Sequence, residues 1–203
     1  MKRILTLTAL ALTLFACAPK NENQAGSVSF DEVIATRRSV RDYDATKTIS
    51  EAQVREIIAA TQEAPSWANT QTSRYYVAMG GQKREALLNM VGGNKERVQN
   101  APVLIVSTYV KGKSGFFRET PTNEIGDGWG AYDNGLSNAY FVLKARAMGF
   151  DTLIMGMRDS EAIRAEFQIP EEETIMAVIS LGYRASEPNR PARIPADEMV
   201  KFF

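Results

Sequence analysis

Arg37-Arg38-Ser39-Val40-Arg41 places three guanidinium groups and a hydroxyl within five residues, where a helix ends. Guanidinium grips phosphate through paired N–H bonds, and each such bond shielded from water contributes about 1.5–3 kcal/mol. The run is therefore a candidate anion site, and equally the composition of a solvated basic turn. Ala64-Pro65-Ser66-Trp67-Ala68-Asn69-Thr70-Gln71 gathers two hydroxyls, two amides and an indole after a helix exit. At Met155-Gly156 the missing side chain would let another group approach the main chain closely, although a plain strand-end turn fits as well. Gly126-Asp127-Gly128-Trp129-Gly130 lacks the preceding strand and the spacing of a dinucleotide fingerprint, and reads as loop.

What is missing narrows the chemistry. The 203 residues contain no histidine, which removes Ser-His-Asp and Cys-His nucleophiles and the commonest zinc and haem ligands. One cysteine, Cys17, can form neither an intramolecular disulfide nor a thiolate cluster. Lys plus Arg equals Asp plus Glu at 24 each, so no overall excess of positive charge is present to hold a nucleic-acid backbone. Redox or transfer chemistry in this chain would come from a cofactor.

The elements that would position these groups can be traced along the chain. Ser29 with Glu32 predicts a capped helix through about Arg37, and Ser50 with Gln53 a second, with Val54, Ile57, Ile58 and Thr61 on one face, ending at Pro65. Tyr75 to Met79 reads as a strand followed by a Gly80-Gly81 turn, and Leu87, Leu88 and Val91 mark a third helix closed by Gly92-Gly93. Val103 to Tyr109 is a β-branched, apolar run typical of a buried strand. Lys111 to Gly128 reads as one long loop, functional or mobile. Leu136, Tyr140, Leu143 and Ala147 recur at helical spacing before Gly149 and predict a central buried helix. A strand at Leu153 to Met155, a helix from Ser160 to Phe167 and a strand from Ile175 to Leu181 complete the order. Without regular strand-helix alternation or an internal repeat, the expectation is one α+β domain over residues 29–203, with a mixed or antiparallel central sheet flanked by helices.

The N-terminus reads differently. Lys2 and Arg3 precede an apolar stretch, Ile4 to Phe15, too short for an ordinary transmembrane helix, and Leu14-Phe15-Ala16-Cys17 follows. This resembles the lipobox of bacterial lipoproteins, with Phe15 bulkier than usual. The resemblance implies a signal peptide over residues 1–16, lipidation of Cys17, a polar tether to residue 28, and an exported protein anchored on the periplasmic or cell-surface side of a membrane. Loss of Lys2 and Arg3 leaves 22 basic residues against 24 acidic.

Read together, Arg37 to Arg41 with Tyr43 and Ala64 to Gln71 resemble the nitroreductase family of FMN-dependent oxidoreductases. The likeness continues through Ala101-Pro102-Val103-Leu104-Ile105-Val106, the helix from Asp133 to Gly149, Met155-Gly156, and Ile194-Pro195 with Asp197, Glu198 and Val200. It implies a three-layer nitroreductase-like fold and an FMN cofactor. Arg37, Arg38 and Ser39 would hold the phosphate and ribityl chain, and Arg41 the N1 and O2 edge of the isoalloxazine, where a cation stabilises the reduced form. Asn94 and Arg97 match positions on the pyrimidine edge, and Met155 and Gly156 a turn whose backbone N–H groups bond N5 and O4. Arg193 matches a phosphate-binding cation. Arg190 matches another more loosely, because Pro191 stands at the usual place.

Pro65, Ser66, Trp67, Asn69 and Gln71 match a segment that closes over the cofactor of a second subunit, which implies a homodimer. Thr72-Ser73 departs from the Pro-Trp that commonly follows, leaving the shape of this wall open. Phe116, Phe117 and Trp129 could line a substrate pocket or pack a dimer. The implied reaction passes hydride through flavin N5 to a nitroaromatic, quinone or enone. Family members take electrons from NADH or NADPH, cytoplasmic donors that an exported chain would have to replace with another redox donor. The alternatives are an exported lipoprotein that binds flavin without catalysis, or one that has lost the cofactor.

Overall fold

The computed structural model describes residues 28–203, so the signal peptide, Cys17 and nearly all of the tether lie outside the described residues. In chain order the elements are α1 (Phe30–Thr36), α2 (Glu51–Thr61), β1 (Ser73–Met79), α3 (Gly81–Asn89), α4 (Lys95–Val98), β2 (Val103–Val110), β3 (Phe116–Phe117), β4 (Thr120–Pro121), α5 (Gly128–Ala147), β5 (Asp151–Met155), α6 (Ser160–Phe167) and β6 (Glu173–Gly182). Four strands form one sheet in the order β1-β2-β6-β5, every pair antiparallel, while β3 and β4 make a separate small hairpin. The sheet expected to be mixed or antiparallel is thus antiparallel. A single parallel bridge, Ser39 to Thr152, lies at its β5 edge.

The local signals explain most of these elements. Ser29 Oγ accepts the Glu32 N–H at 3.2 Å, and Ser50 forms a reciprocal capping box with Gln53. Asp159 caps α6 by accepting from the Ala162 N–H at 3.0 Å. The apolar run of β2 is buried on both faces. Leu104 and Val106 enter one cluster with Leu87, Val98 and Ile163; Val103 and Ile105 enter the other with Val54, Ile57 and Phe141. The period-2 alternation of one strand therefore feeds two cores and gives three layers: α2 and α5, the sheet, and α3, α4 and α6. No helix among the described residues is long and apolar enough to cross a membrane.

One expectation needs correcting. Lys111 to Gly128 is not a continuous loop, because it contains the β3–β4 hairpin, and α5 starts at Gly128, inside the glycine-rich run read as loop. Glycine is normally a poor helix residue, about 1 kcal/mol worse than alanine. Packing overrides that here: a Cβ on Gly130 would sit 2.4 Å from the Tyr109 ring, so this close approach of helix to strand requires glycine. Trp129 anchors the same turn against Trp67, with ring centroids 4.9 Å apart.

Three phenols in the layers make stability sensitive to alkali. Tyr43 is 2% exposed and its hydroxyl lies 2.8 Å from Ser180 Oγ; burial, and then Asp151, raise its pKa. Burial pushes Tyr75, which donates to Asn138 Oδ1 at 3.1 Å, up to about 12 from 10.0. Burial, then the Glu173 carboxylate that its hydroxyl bonds at 3.0 Å, pushes Tyr76 up to about 12. The fold holds these protons more tightly than the unfolded chain does, so the associated stability is complete below pH 10 and is lost as pH rises toward 12. Each well-buried phenol should lower the unfolding free energy by about 1.4 kcal/mol per pH unit across that interval, Tyr76 by less because water screens it. Denaturant titrations at a series of pH values measure this, and a flat profile there would show that the phenols ionise freely within the fold.

Candidate functional site

The arginine run begins where α1 stops. Arg37 is the C-cap in extended conformation, so the predicted helix ends one residue earlier, at Thr36. The chain then leaves as an extended segment along the sheet edge, with the Val40 N–H donating to the Thr152 carbonyl at 3.0 Å and the Asp44 N–H to that of Tyr183 at 2.9 Å. Val40 and Tyr43 are buried, while Ser39, Arg41 and Asp42 are exposed.

A buried ion pair fixes this segment from behind. Arg184 donates to both oxygens of Asp151, Nε to Oδ2 at 2.8 Å and Nη2 to Oδ1 at 2.6 Å, and the Asp151 side chain is only 2% exposed. Arg184 Nη2 also donates to the Thr36 carbonyl at 3.3 Å, and Nη1 to Glu187. Arg146 adds a bond to Thr36 Oγ1 at 3.0 Å and a contact to Asp151 at 3.5 Å. The hydrogen bonds to Asp151 raise the Arg184 pKa, keeping this cation charged at every practical pH. The clamp joins the end of α1, the start of β5 and the chain beyond β6. Sequence reading missed it, because Asp151 and Arg184 stand 33 positions apart with no shared motif.

Arg38 is less comfortable. Its Nη1 donates to the Arg37 carbonyl at 2.7 Å, yet Nε is buried with no hydrogen-bond partner among the described residues. Burial, then the positive charge of Arg190 with smaller contributions from Arg184 and Arg37, lowers its pKa, with Glu187 opposing. A cation short of acceptors and surrounded by cations is the arrangement an anion relieves. The fold thus brings Arg37, Arg38 and Arg190 into one field. Arg193 is exposed, and its Nη1 donates to the Pro191 carbonyl at 3.4 Å.

At the end of β5, Met155 is buried while Gly156 is exposed, and a Cβ there would meet no atom within 4 Å. The backbone of this turn is therefore open to approach from outside. Arg158 holds the turn by donating to the Gly156 carbonyl at 2.6 Å and to the Ile175 carbonyl. Met157 lies against Gly92, whose Cβ would approach its sulfur to 2.8 Å, so the turn carrying Asn94 is drawn beside this one. Asn94 Oδ1 accepts from Arg97 Nη1 at 3.2 Å.

The segment after α2 forms a wall with a strained backbone. Ala68, Asn69 and Gln71 have φ of 45°, 58° and 49°, left-handed conformations that cost non-glycine residues on the order of 1–3 kcal/mol each. Local bonds offset part of this: the Gln71 N–H donates to Ser66 Oγ at 3.0 Å and its side chain to Asn69 Oδ1 at 3.2 Å. The rest comes from α5 and the hairpin, where Asp133 Oδ2 accepts from both the Trp67 N–H at 2.9 Å and Ser114 Oγ at 2.7 Å. The departure at Thr72-Ser73 is absorbed here as well. Thr72 Oγ1 lies 3.3 Å from Ser114 Oγ, and Ser73 Oγ joins Ser137 and Asn134, each at 3.2 Å. These belong to a buried polar seam in which Ser107, Asn134 and Asn138 bond one another at 3.0–3.1 Å. Trp129 belongs to the wall, whereas Phe117 is exposed with Arg118 over its ring at 5.2 Å. Among the described residues, no hydrogen bond joins the wall to the arginine segment.

Known proteins share this fold. A protein of Bacillus subtilis provisionally named an NAD(P)H nitroreductase is 24% identical over 202 residues, covering 85% of this chain and 97% of its own. A solved structure from Exiguobacterium sibiricum, provisionally described as a nitroreductase in complex with FMN, superposes with a TM-score of 0.76 at 19% identity, covering 86% of this chain and 97% of the other. An enone reductase of gut-bacterial fatty acid saturation metabolism gives the same TM-score at 19% identity, covering 85% and 97%. The structural matches carry the fold, and the sequence itself matches the nitroreductase family from residue 34 to residue 183. The chain belongs to the nitroreductase family.

Proposed function

We propose that this protein is an FMN-dependent oxidoreductase that reduces small electron-poor acceptors. The observation that carries the reading is Arg38: a buried, unpartnered Nε in a field of cations, on the same sheet edge as the open turn at Gly156. These features fit a ligand with a phosphate at one end and a flat ring at the other. Arg37, Arg38, Ser39, Arg190 and Arg193 would hold the phosphate and ribityl chain, and Arg41, with Asn94 and Arg97, the pyrimidine edge. The N–H groups of Met155 and Gly156 would hydrogen-bond the ring. When bound, FMN supplies hydride transfer through N5, the step for which no side chain of this histidine-free protein is suited. The chain's own part is to bind and orient the ring, exclude water with the Trp67 wall, and fix cations where negative charge develops.

The donor in this reading is NAD(P)H or another redox donor, and the acceptors are nitroaromatics, quinones or enones. The working form is a homodimer, in which Pro65, Ser66, Trp67, Asn69 and Gln71 of one copy close over the cofactor of the other. The exposed apolar side chains Ile194, Met199, Val200 and Phe202 of the C-terminal segment, which a second copy would cover, support this. The domain is exported and anchored through Cys17, a reading that rests on the basic, apolar and lipobox segments of the N-terminus.

One experiment separates these claims. Cells expressing the full-length chain are divided into membrane and soluble fractions, and the chain purified from each is scanned for visible flavin absorption, with the released cofactor identified by mass. The chain and its flavin should appear in the membrane fraction, and Cys17→Ser should move both to the soluble fraction. A colourless chain that takes up no added FMN would defeat the oxidoreductase reading, and an unmoved Cys17→Ser variant would defeat the anchor.

A further inference from the structure

We infer that Asp133 is the positioning residue that holds the Pro65–Gln71 wall in place, and so governs flavin retention without touching the flavin. This rests on the FMN reading above. The wall carries three left-handed non-glycine residues, and its internal bonds, among Ser66, Asn69 and Gln71 and from the Thr70 N–H to the Trp67 carbonyl at 2.9 Å, tie it only to itself. Something outside the loop must hold its two ends. Asp133 does both: its Oδ2 accepts the Trp67 N–H at the start and Ser114 Oγ, and that same Ser114 Oγ lies 2.8 Å from Thr70 Oγ1 near the end.

The carboxylate is 3% exposed and stands on α5, a twenty-residue helix packed against the sheet, so the anchor point is rigid. Ser114 also precedes the β3–β4 hairpin, so a single oxygen ties loop, hairpin and helix together. Because both bonds end on one oxygen, an amide carbonyl could accept both of them, whereas an alanine could accept neither.

The wall contains its own reporter. The chain has two tryptophans, Trp67 and Trp129, and both belong to the wall with centroids 4.9 Å apart. In the full-length chain, Asp133→Ala should abolish the near-ultraviolet circular dichroism of this pair while the far-ultraviolet spectrum persists. FMN and riboflavin should both lose affinity, by the same factor of about 10- to 100-fold, since the wall would cover the ring and not the phosphate. Asp133→Asn should restore the tryptophan signal and most of the affinity. If Asp133→Ala does not fold, Ser114→Ala, which removes one of the two bonds, should move both readouts in the same direction by less.

The inference is overturned if the alanine variant keeps its tryptophan signal and flavin affinity, if the loss falls on FMN alone, or if asparagine rescues nothing. A wild-type chain that binds no flavin would instead sink the FMN reading, while the tryptophan signal would still report whether Asp133 sets the wall.

Discussion

Arg184→Ala is expected to destabilise the fold by about 3–5 kcal/mol, because it strands a buried carboxylate and does not merely delete a surface pair. Asp151, its side chain 2% exposed, would lose both of its bonds to Arg184 and keep only the 3.5 Å contact to Arg146. For a chain of this size the loss should lower the melting temperature by roughly 10 °C, readable by thermal denaturation. Arg184→Lys should recover only part of it, since an ammonium cannot make the forked contact to both carboxylate oxygens. A melting temperature within a degree or two of wild type would mean that the pair is dispensable, and that the remaining bonds of the arginine segment, to Thr152, Ser180, Tyr183 and Ala185, suffice to hold it.

Arg38 should behave in the opposite sense. Its guanidinium is partly desolvated among cations and lacks an acceptor for Nε, so Arg38→Ala should leave the apo-protein at least as stable as wild type. The same change should weaken FMN by about 100-fold, the loss of one or two charge-assisted bonds to phosphate, and leave riboflavin almost untouched. Calorimetric titration of both flavins with thermal melts of the apo-proteins measures the two effects together. Equal losses for FMN and riboflavin would show that Arg38 does not read phosphate. A site that is destabilising when empty and favourable when filled is a common mark of binding residues, whose placement serves the ligand at some cost to the fold.

Much of the fold was legible because its determinants are local. Ser50 and Gln53 close a capping box within four residues, Val103 to Tyr109 announces a strand buried on both sides, and Ser160 to Phe167 is a helix with the predicted ends. The start of α5 was not legible, because Gly128 and Gly130 argue against helix until Tyr109 is brought against Gly130 and Trp67 against Trp129. The residues of the candidate site divide in the same way. Arg37 to Arg41 and Ala64 to Gln71 stand out as short runs with a characteristic order. The groups that hold those runs, Asp151 with Arg184 and Asp133 with Ser114, are separated by 33 and 19 positions and are ordinary in type. Only the folded chain makes them neighbours. Thr72-Ser73, an unexplained departure in the sequence, became intelligible once Ser114, Ser137 and Asn134 were seen to receive it.

The contact between Gly130 and Tyr109 also restricts how this chain can diverge. With only 2.4 Å between a would-be Cβ and the ring, position 130 admits no side chain while 109 is aromatic. Position 109 can shrink freely only by leaving a void where the ring lay. Drift at either site alone is therefore penalised, and a viable path must change the two together. A lineage that keeps the tyrosine keeps the glycine, however far the rest of its surface has wandered.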